Sequence, residues 1–128
     1  MRIEKDSLGE LEIPDNSYYG INSLRSQNNF PKSGEKVNLQ LIKAFLQVKH
    51  ASAETNYKCG LLFKDKFEAI DEAIRNLINE TETCIESGSP EIYKKIIVDP
   101  YQGGAGTSLN MNINEVIANT ALEVLGKT

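Results

Sequence analysis

The sequence predicts a mainly α-helical domain with a small β-hairpin at its N-terminus. Three observations carry this prediction: a loosely alternating start broken by Ser7-Leu8-Gly9-Glu10, long runs with apolar residues every three or four positions, and glycine or proline punctuation between those runs. The chain has 128 residues, 40% of them hydrophobic and 25% charged, the balance of a single globular domain. At this length roughly 68% of the surface of the unfolded chain is buried on folding, so a core forms without disulfides or metal. With 14 Lys+Arg against 18 Asp+Glu, the net charge of -4 leaves no basic excess to neutralise a phosphate backbone, which excludes nucleic acid as a partner.

Residues 2–14 read as two short strands around a tight turn, with Leu11 and Ile13 on one face. Residues 14–36 are rich in Asn, Ser, Gly and Pro yet carry Tyr18, Tyr19, Leu24, Arg25 and Phe30, so an ordered irregular segment with one helical turn is expected. Over residues 38–59 the apolar positions Leu41, Ile42, Phe45, Leu46 and Val48, then Ala51 and Ala53, give a helix stopped by Gly60. A second helix starts near Lys64 or Asp65. Its stripe is Phe67, Ile70, Ile74, Leu77 and Ile78, and Lys66, Glu68, Asp71, Glu72 and Arg75 form its solvated face. The short connection makes these two helices antiparallel neighbours. Ser89-Pro90, a capping hydroxyl before a proline at the first helical position, opens a short third helix that ends at Asp99-Pro100. A last helix, apolar on more than one face and therefore expected to be largely buried, runs from about Asn110 to Leu125 and closes at Gly126.

The stretch Gln102-Gly103-Gly104-Ala105-Gly106-Thr107-Ser108 is where chemistry is expected. Glycines at 103, 104 and 106 admit backbone shapes that side chains forbid. A glycine loop entering a helix presents unpaired N–H groups, the hydroxyls of Thr107 and Ser108, and the positive end of a helix dipole, which suits a carboxylate or phosphate. Spacing alone leaves a second reading open, a tight turn with an ordinary N-cap. A nucleotide loop is disfavoured, because no Lys stands at the junction and no hydrophobic strand precedes it. The carboxamides of Asn110, Asn112 and Asn114 alternate along the first turns and cannot all face one point.

Other polar residues carry less. His50, the only histidine, lies inside a long helix, where a surface or inter-helix role outweighs acid–base work. Cys59 and Cys84 have no basic partner nearby in sequence and read as inert thiols; two cysteines without metal-ligand spacing fit a reduced, cytoplasmic chain. The charged start, Met1-Arg2-Ile3-Glu4-Lys5-Asp6, is no signal peptide, and the uncharged residues 100–114 are too rich in Gly, Asn, Ser and Thr to span a membrane.

The run Asp99-Pro100-Tyr101-Gln102-Gly103-Gly104-Ala105-Gly106-Thr107-Ser108-Leu109-Asn110-Met111-Asn112-Ile113-Asn114-Glu115-Val116-Ile117-Ala118-Asn119 resembles the first conserved region of the aspartase/fumarase superfamily, specifically its aspartate ammonia-lyase branch. Met1 to Asp6 with Leu8-Gly9, Tyr18-Tyr19-Gly20, Arg25, Asn29-Phe30-Pro31, Val48-Lys49, Ala51 and Asn56 fall in the order of the same branch. Ala105 and Ser108 match aspartases rather than the Gly-Ser-Gly-Thr-Gln-Ser of fumarases. Asn22 and Ser23 depart from the branch, which often has His-Thr before Leu24-Arg25.

The resemblance implies that residues 1–128 form the N-terminal domain of a three-domain lyase, with 1–36 as hairpin and irregular segment and 37–128 as helices. It places a central bundle of long helices, the core of a homotetramer, and a C-terminal domain outside this chain. The implied reaction is the cofactor-free conversion of L-aspartate to fumarate and ammonia, with fumarate hydration or carboxylate binding without turnover as alternatives. No catalytic residue is implied within these residues, because the family's serine base sits on a Gly-Ser-Ser-x-Met-Pro-x-Lys-x-Asn loop absent here. The substrate-binding set is Thr107, supported by Ser108 and Gly106, with Asn110 and Asn112 assisting. Arg25 is a weaker candidate, either bracing the loop or reaching a site from another subunit.

Overall fold

A computed structural model describes residues 1–127. Strands β1 (Arg2–Asp6) and β2 (Gly9–Ile13) form an antiparallel hairpin in which Arg2 pairs with Ile13 and Asp6 with Gly9. The four helices are α1 (Ile21–Asn29), α2 (Leu39–Lys58), α3 (Lys64–Ser87) and α4 (Thr107–Val124), with one 3-10 turn over Glu91–Lys94 between the last two.

Helices α2 and α3 run antiparallel, as expected. Lys43 pairs with Glu82 at 3.0 Å, His50 meets Asp71, and the rings of Tyr57 and Phe67 stack at 4.5 Å, so partners descend one helix as they climb the other. The Asn38 side chain caps α2 by accepting the Gln40 N–H at 2.8 Å. Helix α4 packs across this pair. Ile42 and Leu46 of α2, Ile74 and Leu77 of α3, and Leu109, Ile113 and Val116 of α4 close the core, which Ile92, Ile96 and Val98 cover from the segment between α3 and α4.

Three expectations are corrected. The segment 14–36 holds a full helix, α1, rather than one turn; it buries only Ile21 and Ser23, so no apolar period announces it. The third helix is a four-residue 3-10 turn, because the chain must leave it extended for Ile96 and Val98 to reach the core. The Ser89 hydroxyl still accepts the Glu91 N–H at 3.3 Å. The last helix starts at Thr107, and at its end Leu122, Val124 and Leu125 keep 38%, 37% and 38% exposure instead of being buried.

Residues 14–20 are gathered by the Arg2 side chain and anchored further by Tyr18. The Arg2 guanidinium donates to the carbonyls of Pro14, Asp15, Ser17 and Tyr19 at 2.9 to 3.2 Å, while its Nε pairs with Glu4 at 2.9 Å. These charge-assisted bonds tie the segment to the hairpin. Tyr18 then anchors it to α4 by donating to Glu123 at 2.8 Å, and its carbonyl accepts from Asn119 at 2.8 Å.

Candidate functional site

The loop before α4 is held at both ends. The Asp99 carboxylate accepts from the Ser33 N–H at 2.7 Å, the Ser33 hydroxyl at 3.0 Å and the Tyr101 N–H at 2.9 Å. Those amides hold its carboxyl below the ordinary aspartate value. The Gln102 carboxamide donates to the Asp99 carbonyl at 2.9 Å and accepts the Leu109 N–H at 2.8 Å. Gly106 closes a turn onto the Gly103 carbonyl at 3.1 Å and adopts φ 71°, a left-handed conformation that costs a side-chain-bearing residue free energy.

Gly106 is thus the N-cap of α4, with no side chain to offer. Thr107 and Ser108 are the first two helical residues, and among the described residues neither their hydroxyls nor their backbone N–H groups have a hydrogen-bond partner. The stretch is a tight turn closed by an N-cap, and because that cap is a glycine it leaves two adjacent donors open. Together with the dipole these make an anion-suited end.

That end faces an open groove of about 660 Å³ between the hairpin turn, α1 and α4. Thr107, Ser108 and Met111 form one wall; Asn22, Arg25 and Ser26 of α1 form the other; Leu8, Leu11 and Phe30 supply an apolar rim. Hydroxyls and amides opposite an apolar edge suit a small carboxylate with a short hydrocarbon body.

The remaining sequence-predicted residues are engaged elsewhere. Asn110 does not line the groove; its Oδ1 accepts from Lys49 Nζ of α2 at 2.5 Å. Asn112 is fully buried, accepting the Ile97 N–H at 2.9 Å and donating to the Lys95 carbonyl at 2.9 Å. It does not line the groove, and its amide braces the segment between the 3-10 turn and the loop. Arg25 lines the groove, but its guanidinium grips Asp6 at 2.8 and 2.9 Å and the Gly9 carbonyl at 3.2 Å. The hydrogen bonds from Arg25 hold the Asp6 carboxyl below its ordinary value. His50 sits away from the groove against Asp71, which also binds Arg75 at 2.9 Å, and Arg75 then His50 lower the Asp71 carboxyl. Cys59 is exposed and Cys84 is in the core.

Sequence reasoning missed Asn22 and Ser26 as groove residues and Glu115 as the joint behind them. Glu115 Oε1 accepts from the backbone N–H and hydroxyl of Ser23 at 3.0 and 3.1 Å, docking α1 onto α4 and so setting the groove's width. Its Oε2 is buried with no partner among the described residues, and burial pushes the Glu115 carboxyl above its ordinary value. A Cβ on Gly20 would lie 1.9 Å from that oxygen and 2.9 Å from Glu4 Oε2, so glycine is required here by close approach. The alternation at 110, 112 and 114 drew attention to the asparagines; nothing local marked the glutamate one residue later.

Among the described residues, no group of three or more His, Cys, Asp or Glu is placed to hold a metal ion, and no helix is long and apolar enough to cross a membrane.

A family model described as Lyase matches residues 9–128, and the chain belongs to that family, the aspartase/fumarase lyases. It is 47% identical over 129 residues to an aspartate ammonia-lyase of Pseudomonas aeruginosa, covering 99% of this chain and 25% of that protein. It is 39% identical over 117 residues to a class II fumarate hydratase of Oceanobacillus iheyensis, covering 91% of this chain and 23% of that protein. The crystal structure of a fumarate lyase:delta crystallin from Brucella melitensis superposes with a TM-score of 0.87 at 43% identity, covering 99% of this chain and 27% of that one. The chain thus spans about a quarter of the length of the relatives it matches.

Proposed function

We propose that this chain is the N-terminal domain of a cytoplasmic, homotetrameric aspartate ammonia-lyase and supplies its carboxylate-binding loop. The observation that carries the reading is the pair of unpartnered N–H groups and hydroxyls at Thr107 and Ser108, facing a groove at the start of α4. The identity to proteins named aspartate ammonia-lyase supports the substrate.

In the reaction that the resemblance implies, a base outside these residues removes a proton from the carbon bearing the substrate's far carboxylate. The electron pair moves onto that carboxylate as an aci-dianion, then returns to form the double bond as the C–N bond breaks and ammonia leaves with the pair. The hard step is the dianion, which needs donors fixed in advance. Thr107 takes that role, with Ser108 and the amide of the Gly106–Thr107 junction in support; the donors are held by the loop and do not reorganise as charge builds.

The test is a fumarate-formation assay by ultraviolet absorbance on the complete polypeptide that carries this domain. With L-aspartate supplied, Thr107→Val, which keeps shape and removes the hydroxyl, lowers kcat about a hundredfold, the cost of one donor to a developing oxyanion. A wild-type level of activity in that variant removes Thr107 from the site. An L-malate arm tests the second reading, fumarate hydration, which the similarity to a class II fumarate hydratase favours. Turnover of L-malate but not L-aspartate would replace the proposed substrate.

A further inference from the structure

We propose that Gln102 is the positioning residue of the loop: its carboxamide closes residues 99–109 and determines which amides of α4 remain free for the substrate carboxylate. The inference rests on the aspartate ammonia-lyase reading for the ligand and on this chain's own hydrogen bonds for the clamp.

A helix start leaves its first N–H groups without intrahelical partners. In an ordinary N-cap, a Ser or Asp side chain at the cap folds over the helix start and takes the second or third of them. Gly106 cannot do so. Gln102 does it from across the loop, taking the third helical amide, Leu109, while the Gly106 N–H bonds to the Gly103 carbonyl and the Asn110 N–H to the Gly106 carbonyl. The two groups left over are the amides of Thr107 and Ser108, the residues whose side chains line the groove. Cap and ligand therefore do not compete for one space.

The other half of the carboxamide fixes where the loop stands. Its Nε2 holds the Asp99 carbonyl, and Asp99 is itself held by Ser33 and Tyr101. A Cβ at Gly103 or Gly104 would meet nothing within 4 Å, so no packing steadies the intervening residues. Gln102 ties the anchored end at Asp99 directly to the helix. Without it, the first turn of α4 loses its side-chain tie to Asp99 and Thr107 is fixed less tightly, and misplacement of a donor by about 1 Å costs up to a hundredfold in rate.

The experiment compares wild type, Gln102→Leu and Gln102→Glu in the complete polypeptide. Gln102→Leu keeps size and loses both bonds; Gln102→Glu keeps the acceptor for Leu109 and loses the donor to Asp99. Amide exchange at Leu109, the N–H that Gln102 holds, is expected to speed up about tenfold in Gln102→Leu, the factor that one net hydrogen bond is worth. The kcat for L-aspartate is expected to fall about tenfold, with Gln102→Glu between the two and the melting temperature nearly unchanged. Unchanged Leu109 exchange overturns the clamp whatever the substrate. A lowered melting temperature with kcat unchanged reduces Gln102 to a structural residue and also overturns the proposal. If wild type itself does not convert L-aspartate, the functional reading fails on that result, and Leu109 exchange alone decides for or against Gln102.

Discussion

At the residue scale Glu115 is the group most at odds with its surroundings. One oxygen is satisfied by Ser23; the other is buried, unpartnered and crowded with Glu4 Oε2 around Gly20. Desolvation first, and the Glu4 charge after the opposing Ser23 bonds, raise its carboxyl above the ordinary value of 4.5. A raised carboxyl means that the folded state holds its proton more tightly than the unfolded one. The protonated group therefore favours the fold below about pH 4.5, and that contribution is lost as pH rises through the folded value. Glu115→Gln is uncharged throughout and keeps the acceptor for Ser23. It is expected to be more stable than wild type at pH 7, by about 1 kcal/mol if the unpartnered oxygen carries a usual burial cost, and to lose the advantage by pH 4. Thermal melts of both proteins across that range check it; a less stable variant at pH 7 would show that the charged form is the one the fold selects.

At the element scale α1 shows what the sequence can and cannot announce. Helices α2 and α3 were legible because each buries an apolar stripe at helical spacing, and such a stripe is written in adjacent turns. Helix α1, Ile-Asn-Ser-Leu-Arg-Ser-Gln-Asn-Asn, has no such stripe. It is held from outside by the Glu4 carboxylate on the Ile21 N–H at 2.8 Å, by Glu115 on Ser23, and by Asp6 on Arg25. Those partners lie 17, 92 and 19 residues away, beyond any local window. The Asp6–Arg25 pair carries a consequence for this element. A lowered carboxyl adds stability above the unfolded value near 3.8, and that stability is lost as pH falls through the lower folded value. Arg25→Ala is expected to release the hairpin turn, so amide exchange at Leu8, bonded to Asp6 at 2.9 Å, accelerates several-fold at pH 7. Unaltered exchange there would mean that strand pairing alone holds the turn.

At the scale of the whole molecule the fold and the site have different legibility for one physical reason. A core of aliphatic side chains follows from periodicity, and a glycine loop followed by hydroxyls stands out by composition, so both were readable before the structure. The groove is a space between three elements distant in sequence, and its far wall of Asn22 and Ser26 depends on how α1 docks. That geometry also limits what these residues do alone. The groove is open, and the ionisable groups lining it, Asp6 and Arg25, are locked in one ion pair, leaving donors to hold an anion but no free base to take a proton from carbon. The 128-residue chain by itself is therefore expected to give no fumarate from L-aspartate, while mixing it with a complete polypeptide disabled by Thr107→Val restores turnover wherever subunits or segments exchange. The absorbance assay used for the full protein reads both. Turnover by the short chain alone would require a base within these residues, and since Asp6 is the one carboxylate on the groove, Asp6→Asn would be the next variant to assay.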